Sequence, residues 1–127
     1  MGPSRGAGVG IAPAEQGTVV LVPFPFTDLR GAKQRPAVVV SPRGFHPEGV
    51  VLCALTSQVP SRLSPWEVSL LVSDVEGARL PKPSIVRVGK LFTIHQGLVR
   101  GWYGRVRAAK LAEILARLRA LFGARAP

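Results

Sequence analysis

The chain is poor in cysteine, histidine and acid: one Cys, two His and seven Asp or Glu in 127 residues. Cys53, set in the apolar run VVLCAL, has no partner for an intrachain disulfide and reads as a small buried hydrophobe. The seven carboxylates, Glu15, Asp28, Glu48, Glu67, Asp74, Glu76 and Glu113, are scattered, and neither His46 nor His95 stands at ligand spacing from Cys53. A metal site is not expected, least of all the paired acids of two-metal phosphodiester hydrolysis, and no other cofactor is implied. No apolar run approaches the roughly 18 residues of a membrane span, and residues 1–14 lack the apolar core of a secretory signal. A cytoplasmic protein without a membrane partner is the expectation.

Positive charge, in contrast, is abundant. Seventeen Lys and Arg give a formal charge of +10 and a pI near 11.5, which favours an anionic partner such as nucleic acid or an acidic protein. The length suits one core and therefore one domain, residues 15–123, after a Gly-, Pro- and Ala-rich leader over 1–14 that reads as flexible and before a short tail at 124–127. GAGVG in the leader lacks the Lys-Ser/Thr of a phosphate loop.

Within the domain, short segments of β-branched residues bounded by turn-formers predict strands over 17–24, 35–41, 50–56, 66–72, 84–88, 91–95 and 98–106, the last broken by Gly101 and Gly104. Pro23 and Pro25 confine the first to a sheet margin. Leu111, Ile114, Leu115, Leu118, Leu121 and Phe122 then recur at helical spacing, with Gly123 placed to cap the helix. About seven short strands and one amphipathic helix make a mainly β fold, a small closed or half-open barrel.

One region concentrates candidate chemistry. Arg35 opens the apolar strand RPAVVVS, and Thr56 and Ser57 close the next one, VVLCALTSQ. A guanidinium stays protonated at working pH and grips two phosphate oxygens at once, while a hydroxyl donates to a phosphate or orients an attacking alcohol. By themselves, an arginine before a strand is a surface charge and Thr-Ser after one is a turn. Asp28 in PFPFTDL either orients Arg35 or caps a turn, and His46 in the loop PRGFHPEG is a candidate proton carrier but equally a surface residue. Most aromatics are expected in the core, with Phe24 and Phe26, between prolines, as the solvated pair available for base stacking.

The segments VVLVPFPFTD with RPAVVVS, LTSQ, and SIVRVGKLFTI together resemble the PemK/MazF family of bacterial toxins, and the resemblance covers about 17–122. It implies an SH3-like, CcdB-like barrel acting as a sequence-specific, metal-independent endoribonuclease of a type II toxin-antitoxin pair. The family's Arg-Pro motif makes Arg35 catalytic, and its Thr or Ser at the strand exit carries that role to Thr56, then Ser57. Attack by a ribose 2′-hydroxyl would leave a 2′,3′-cyclic phosphate and a 5′-hydroxyl, and would spare DNA. Arg87 matches the arginine of the family's Arg-x-Asp, but Gly89 stands where the Asp would be. Proton transfer then falls to Asp28 or His46, or Arg35 and Thr56 carry most of the catalysis.

Arg87, Phe24, Phe26, Asp28, Lys33, Gln58 and His46 complete the expected RNA-binding set. The implied partners are single-stranded mRNA, a second copy of the chain in a homodimer, and an acidic antitoxin that connects the complex to operator DNA. Two other classes compete. A gyrase inhibitor on the same barrel would need a C-terminal Trp-Gly-Ile, whereas this chain ends GARAP. In a noncatalytic nucleic-acid-binding module, Arg35 would bind phosphate only.

Overall fold

The computed structural model describes residues 15–24, 33–77 and 80–123; Phe26, Asp28, the expected leader and the expected tail lie outside the described residues. Seven strands, β1 (Thr18–Pro23), β2 (Gln34–Val39), β3 (Gly49–Thr56), β4 (Glu67–Leu70), β5 (Val75–Glu76), β6 (Ser84–His95) and β7 (Gly101–Val106), precede one helix, α1 (Ala108–Leu121). They form an antiparallel sheet in the order β4-β6-β3-β2-β1-β7-β5, curled into a half-barrel.

Both faces of the central strands are buried, which is why they read as unbroken apolar runs rather than as alternating ones. Val19, Val38, Cys53, Leu55 and Val86 pack with Ile114 and Leu118 of α1. Val20, Val22, Ala37, Val39, Leu52 and Ala54 form a second core with Phe24 and Phe92. Helix α1 buries Ile114 and Leu118 with Leu111, Leu115 and Leu121 half-buried beside them, as the spacing predicts. Phe122 departs from that stripe: it is the helix C-cap and 72% exposed. Gly123 follows with φ 78°, a left-handed stop that a side chain would strain.

Seven strands were expected and seven are present, but not the same seven. The segments 84–88 and 91–95 are one strand, β6, interrupted by a bulge: Cys53 faces Leu91 while Ala54 faces Arg87, so Val88, Gly89 and Lys90 have no opposite residue on β3. An odd number of extra residues reverses the alternation, placing Val86 and Val88 in the helix-side core but Phe92 and Ile94 in the other. That reversal is what made one strand look like two. The pairing Val75–Glu76 with β7 is too short to leave a period. Residues 72–74 and 96–98 are 3₁₀ turns, which shortens the expected strands 66–72 and 98–106. In β7, a second bulge leaves Tyr103 unpaired between Val19↔Gly104 and Val20↔Trp102, with Gly104 at φ 123°.

Cys53 is fully buried, and desolvation pushes its thiol from 9.0 up to about 12. The thiolate, which is the reactive form, is therefore suppressed in the folded chain. Alkylation by iodoacetamide at pH 8 should be undetectable in the native protein and complete in denaturant, as intact mass would show.

Candidate functional site

The site begins with a hydrogen bond that cannot form. Val40 N–H donates to Val51 O at 2.9 Å, so the even-numbered residues of β2 direct their amides toward β3. The next such position after Val38 is Pro36, which has no N–H. Pairing of β2 with β3 accordingly ends at Ala37↔Ala54, whereas β2 stays paired with β1 through Leu21↔Pro36, Val22↔Arg35 and Pro23↔Gln34. The two strands are released from each other here, and two adjoining clefts occupy the gap. One, of about 380 Å³, is lined by Gln34, Arg35, Thr56, Ser57, Lys82 and Tyr103 among others. The other, of about 220 Å³, includes Phe24, Arg35, Thr56, Gln58, Arg87 and Lys90. Arg35, Leu55, Thr56 and Gln58 belong to both.

Continuing the register of Ala37↔Ala54 by two residues sets Arg35 opposite Thr56. Both lie on the face of Ala37 and Ala54, since side chains two apart share a face. Arg87, opposite Ala54 on β6, falls on that face as well. Arg35, Thr56 and Arg87 thus span three neighbouring strands. The Arg35 guanidinium sits 5.8 Å from the centroid of the Phe24 ring, a cation–π contact that holds it at the cleft wall. Its Nε is buried, and among the described residues it finds no hydrogen-bond acceptor. Nor do Arg35, Lys82, Arg87 or Lys90 ion-pair with a carboxylate among the described residues. Several uncompensated cations around one gap favour an anion there.

Thr56 Oγ1 accepts Gln58 N–H at 3.1 Å. This is the turn that Thr-Ser predicts on its own, and it also fixes the threonine rotamer while leaving the hydroxyl proton available to donate. Ser57 and Gln58 are exposed at the cleft margin. Lys33 is exposed two residues before Arg35 on the same strand face, and its carbonyl accepts Phe24 N–H at 3.1 Å.

Two expected members are placed otherwise. Phe24 is only 6% exposed and packs edge-on against Phe92, centroids 5.1 Å apart at 71°, so it is a core residue that supports Arg35 and not a solvated stacking face. His46 lies in the hairpin loop joining β2 to β3, at the end of those strands away from Arg35 and separated from it by about 17 Å of chain rise. Its Nδ1 accepts Glu48 N–H and Gly49 N–H, both at 3.0 Å, which makes it a turn residue. His95 does the same for Gly97 N–H at 2.9 Å. Asp28 and Phe26 lie outside the described residues.

Sequence reasoning missed Gln34, Lys82, Lys90 and Tyr103. The signal for Tyr103 is the spacing of Gly101 and Gly104, which brackets the bulge that turns it toward the cleft. A larger cleft of about 470 Å³ lies between β5, β7 and α1. Its Arg105 is held by Glu15 at 3.7 Å and by the Gln16 carbonyl at 3.3 Å, so it offers no comparable cationic gap.

Residues 15–122 match the family of PemK-like, MazF-like toxins of type II toxin-antitoxin systems. Among solved structures, an endoribonuclease in complex with its cognate antitoxin from a mycobacterial species superposes with a TM-score of 0.71 at 24% identity, covering 91% of this chain and 100% of that one. A mycobacterial endoribonuclease is similar at 25% identity and TM-score 0.68, covering 92% and 97%. MazF from Deinococcus radiodurans is similar at 24% identity and TM-score 0.67, covering 90% and 99%. No curated protein sequence matches. With the family spanning nearly all of the described fold, this chain belongs to the PemK-like, MazF-like toxins of type II toxin-antitoxin systems.

Proposed function

We propose that this member of an endoribonuclease toxin family cleaves single-stranded RNA in the gap between β2 and β3, with Arg35 and Thr56 facing each other across the scissile phosphate. The observation that carries this reading is their opposition in register on one face, beside an Arg35 Nε with no acceptor among the described residues. The ribose 2′-oxygen attacks phosphorus and the bond to the 5′-oxygen breaks, leaving a 2′,3′-cyclic phosphate and a 5′-hydroxyl. Arg35 stabilises the charge that develops on the non-bridging oxygens. The Thr56 hydroxyl donates to the phosphate or orients the 2′-hydroxyl. The 2′ proton passes to solvent, and the departing 5′-oxygen takes a proton from Lys82 or Tyr103, which line the cleft of about 380 Å³.

His46 is too distant to act as base on this phosphate, which leaves two alternatives: Asp28 takes part in proton transfer, or Arg35 and Thr56 supply most of the catalysis. Arg87, Lys90, Lys33 and Gln58 hold the flanking phosphates. The other partner is an acidic antitoxin segment competing for the same cations, a reading supported by the mycobacterial relative's complex with its cognate antitoxin. A homodimer in the cytoplasm is the working form.

Two measurements follow. Incubated with a long RNA in EDTA, the wild type should yield fragments with cyclic phosphate ends. Arg35→Ala should bind the same RNA yet cleave about 10²–10³-fold more slowly, the typical cost of one oxyanion donor. Intact RNA with the wild type, or loss of binding in step with loss of cutting, would support the binding-module class instead. Gly89→Asp tests the missing acid: a Cβ there meets nothing within 4 Å, so stability should stay within about 0.5 kcal/mol. The added carboxylate beside Arg87 should speed cleavage and give it an acid limb in the pH profile.

A further inference from the structure

We propose that Trp66 is the stacking platform for an RNA base next to the scissile phosphate, reached from Arg35 along Arg87 and Lys90. This rests on the RNA-cleaving reading above. A third cleft, of about 370 Å³, is lined by Ser64, Trp66, Glu67, Arg87, Gly89 and Lys90. It shares Arg87 and Lys90 with the cleft that holds Arg35 and Thr56, so these two cations connect the proposed scissile phosphate to the indole. Strand β4 lies two strands from β3, about 10 Å across the sheet, a short step along a single strand of RNA.

Trp66 was expected in the core, yet it is 39% exposed. Its turn is nonetheless rigid. Trp66 N–H donates to Ser64 Oγ at 3.2 Å, Ser64 N–H to Glu67 Oε1 at 2.8 Å, and Glu67 N–H to Ser64 O at 3.1 Å. From outside the turn, Val88 N–H of the β6 bulge donates to Trp66 O at 3.0 Å, and Arg117 of α1 donates to Pro65 O at 3.3 Å. An aromatic side chain left partly in solvent by a fully tied turn, beside two cations that form no ion pair among the described residues, is the combination that holds single-stranded nucleic acid: phosphate on the cations, base on the ring.

Glu67 stands opposite Arg87 and lines the same cleft, where its carboxylate accepts from the amino group of a base seated on the indole. The bulge joins this turn, since Val88 N–H bonds Trp66 O while Gly89 and Lys90, unpaired with β3, line the cleft with it.

The test uses the full-length protein and an RNA spanning a mapped cut site, with a 2′-deoxy sugar at the attacking position. Trp66→Ala should weaken binding about tenfold, as for loss of one stacked base, and Trp66→Phe should recover part of it. The slope of log Kd against log salt should not change in Trp66→Ala, because stacking releases no counterion. In Lys90→Ala it should fall by about 0.7. Wild-type fluorescence should be quenched by the RNA, and Trp66→Phe should abolish most of the quench. Wild-type affinity in Trp66→Ala would overturn the platform while leaving cleavage intact as a separate result. So would a quench by the acidic antitoxin segment and none by RNA. A wild type that neither binds nor cuts RNA would remove both the platform and the reading beneath it.

Discussion

A missing backbone proton at Pro36 organises this site. The β2–β3 ladder would otherwise continue, because Leu55 lies where an amide at position 36 would find its acceptor. With that rung absent, β2 is retained by β1 alone, and the opening appears at the position where register sets a guanidinium against an alcohol. A side-chain substitution could not do this as directly, since side chains leave the ladder intact. The restriction proline imposes on its own φ also limits how Arg35 enters the sheet, so its side chain starts from a constrained origin.

Irregularities elsewhere in the sheet border the clefts of this gap. The bulge in β6 brings Lys90 beside Arg87 at the smaller one, and the extra residue in β7 presents Tyr103 to the other. Most side chains in the regular parts of these strands are committed to two cores. Bulges release individual positions from that commitment, which accounts for their concentration around the gap. Among the described residues no carboxylate pairs with the cations there, while the ion pairs of Glu15, Glu76 and Glu113 lie at other places on the chain and are exposed enough to contribute little to stability.

Much of this was legible in the sequence because it follows from local chemistry. β-branched runs gave five of the strand positions closely, helical spacing gave α1, and the Arg-Pro and Thr-Ser pairs marked the two strand ends that register brings together. Burial of the aromatics was less legible. Phe24 looked solvated because prolines flank it, but the second core reaches past the end of β1 and takes it in; Trp66 looked like the first inward residue of a strand, but the strand begins one residue later. His46 had the right chemistry at the wrong end of a hairpin, and strand direction, not composition, decides that. The phase reversal at Gly89 and Lys90 was visible as a break between two strands, though a break and a bulge look alike in one dimension.

Facing one another across the opened rung, Arg35 and Thr56 should work as a unit. A double-mutant cycle on kcat/KM for RNA cleavage measures this directly, using Arg35→Ala, Thr56→Val and the combined variant. If both groups hold the same phosphate, the double variant will be scarcely slower than Arg35→Ala alone. Losses that simply multiply would mean that the two side chains act on separate events, and the shared site between β2 and β3 would be wrong.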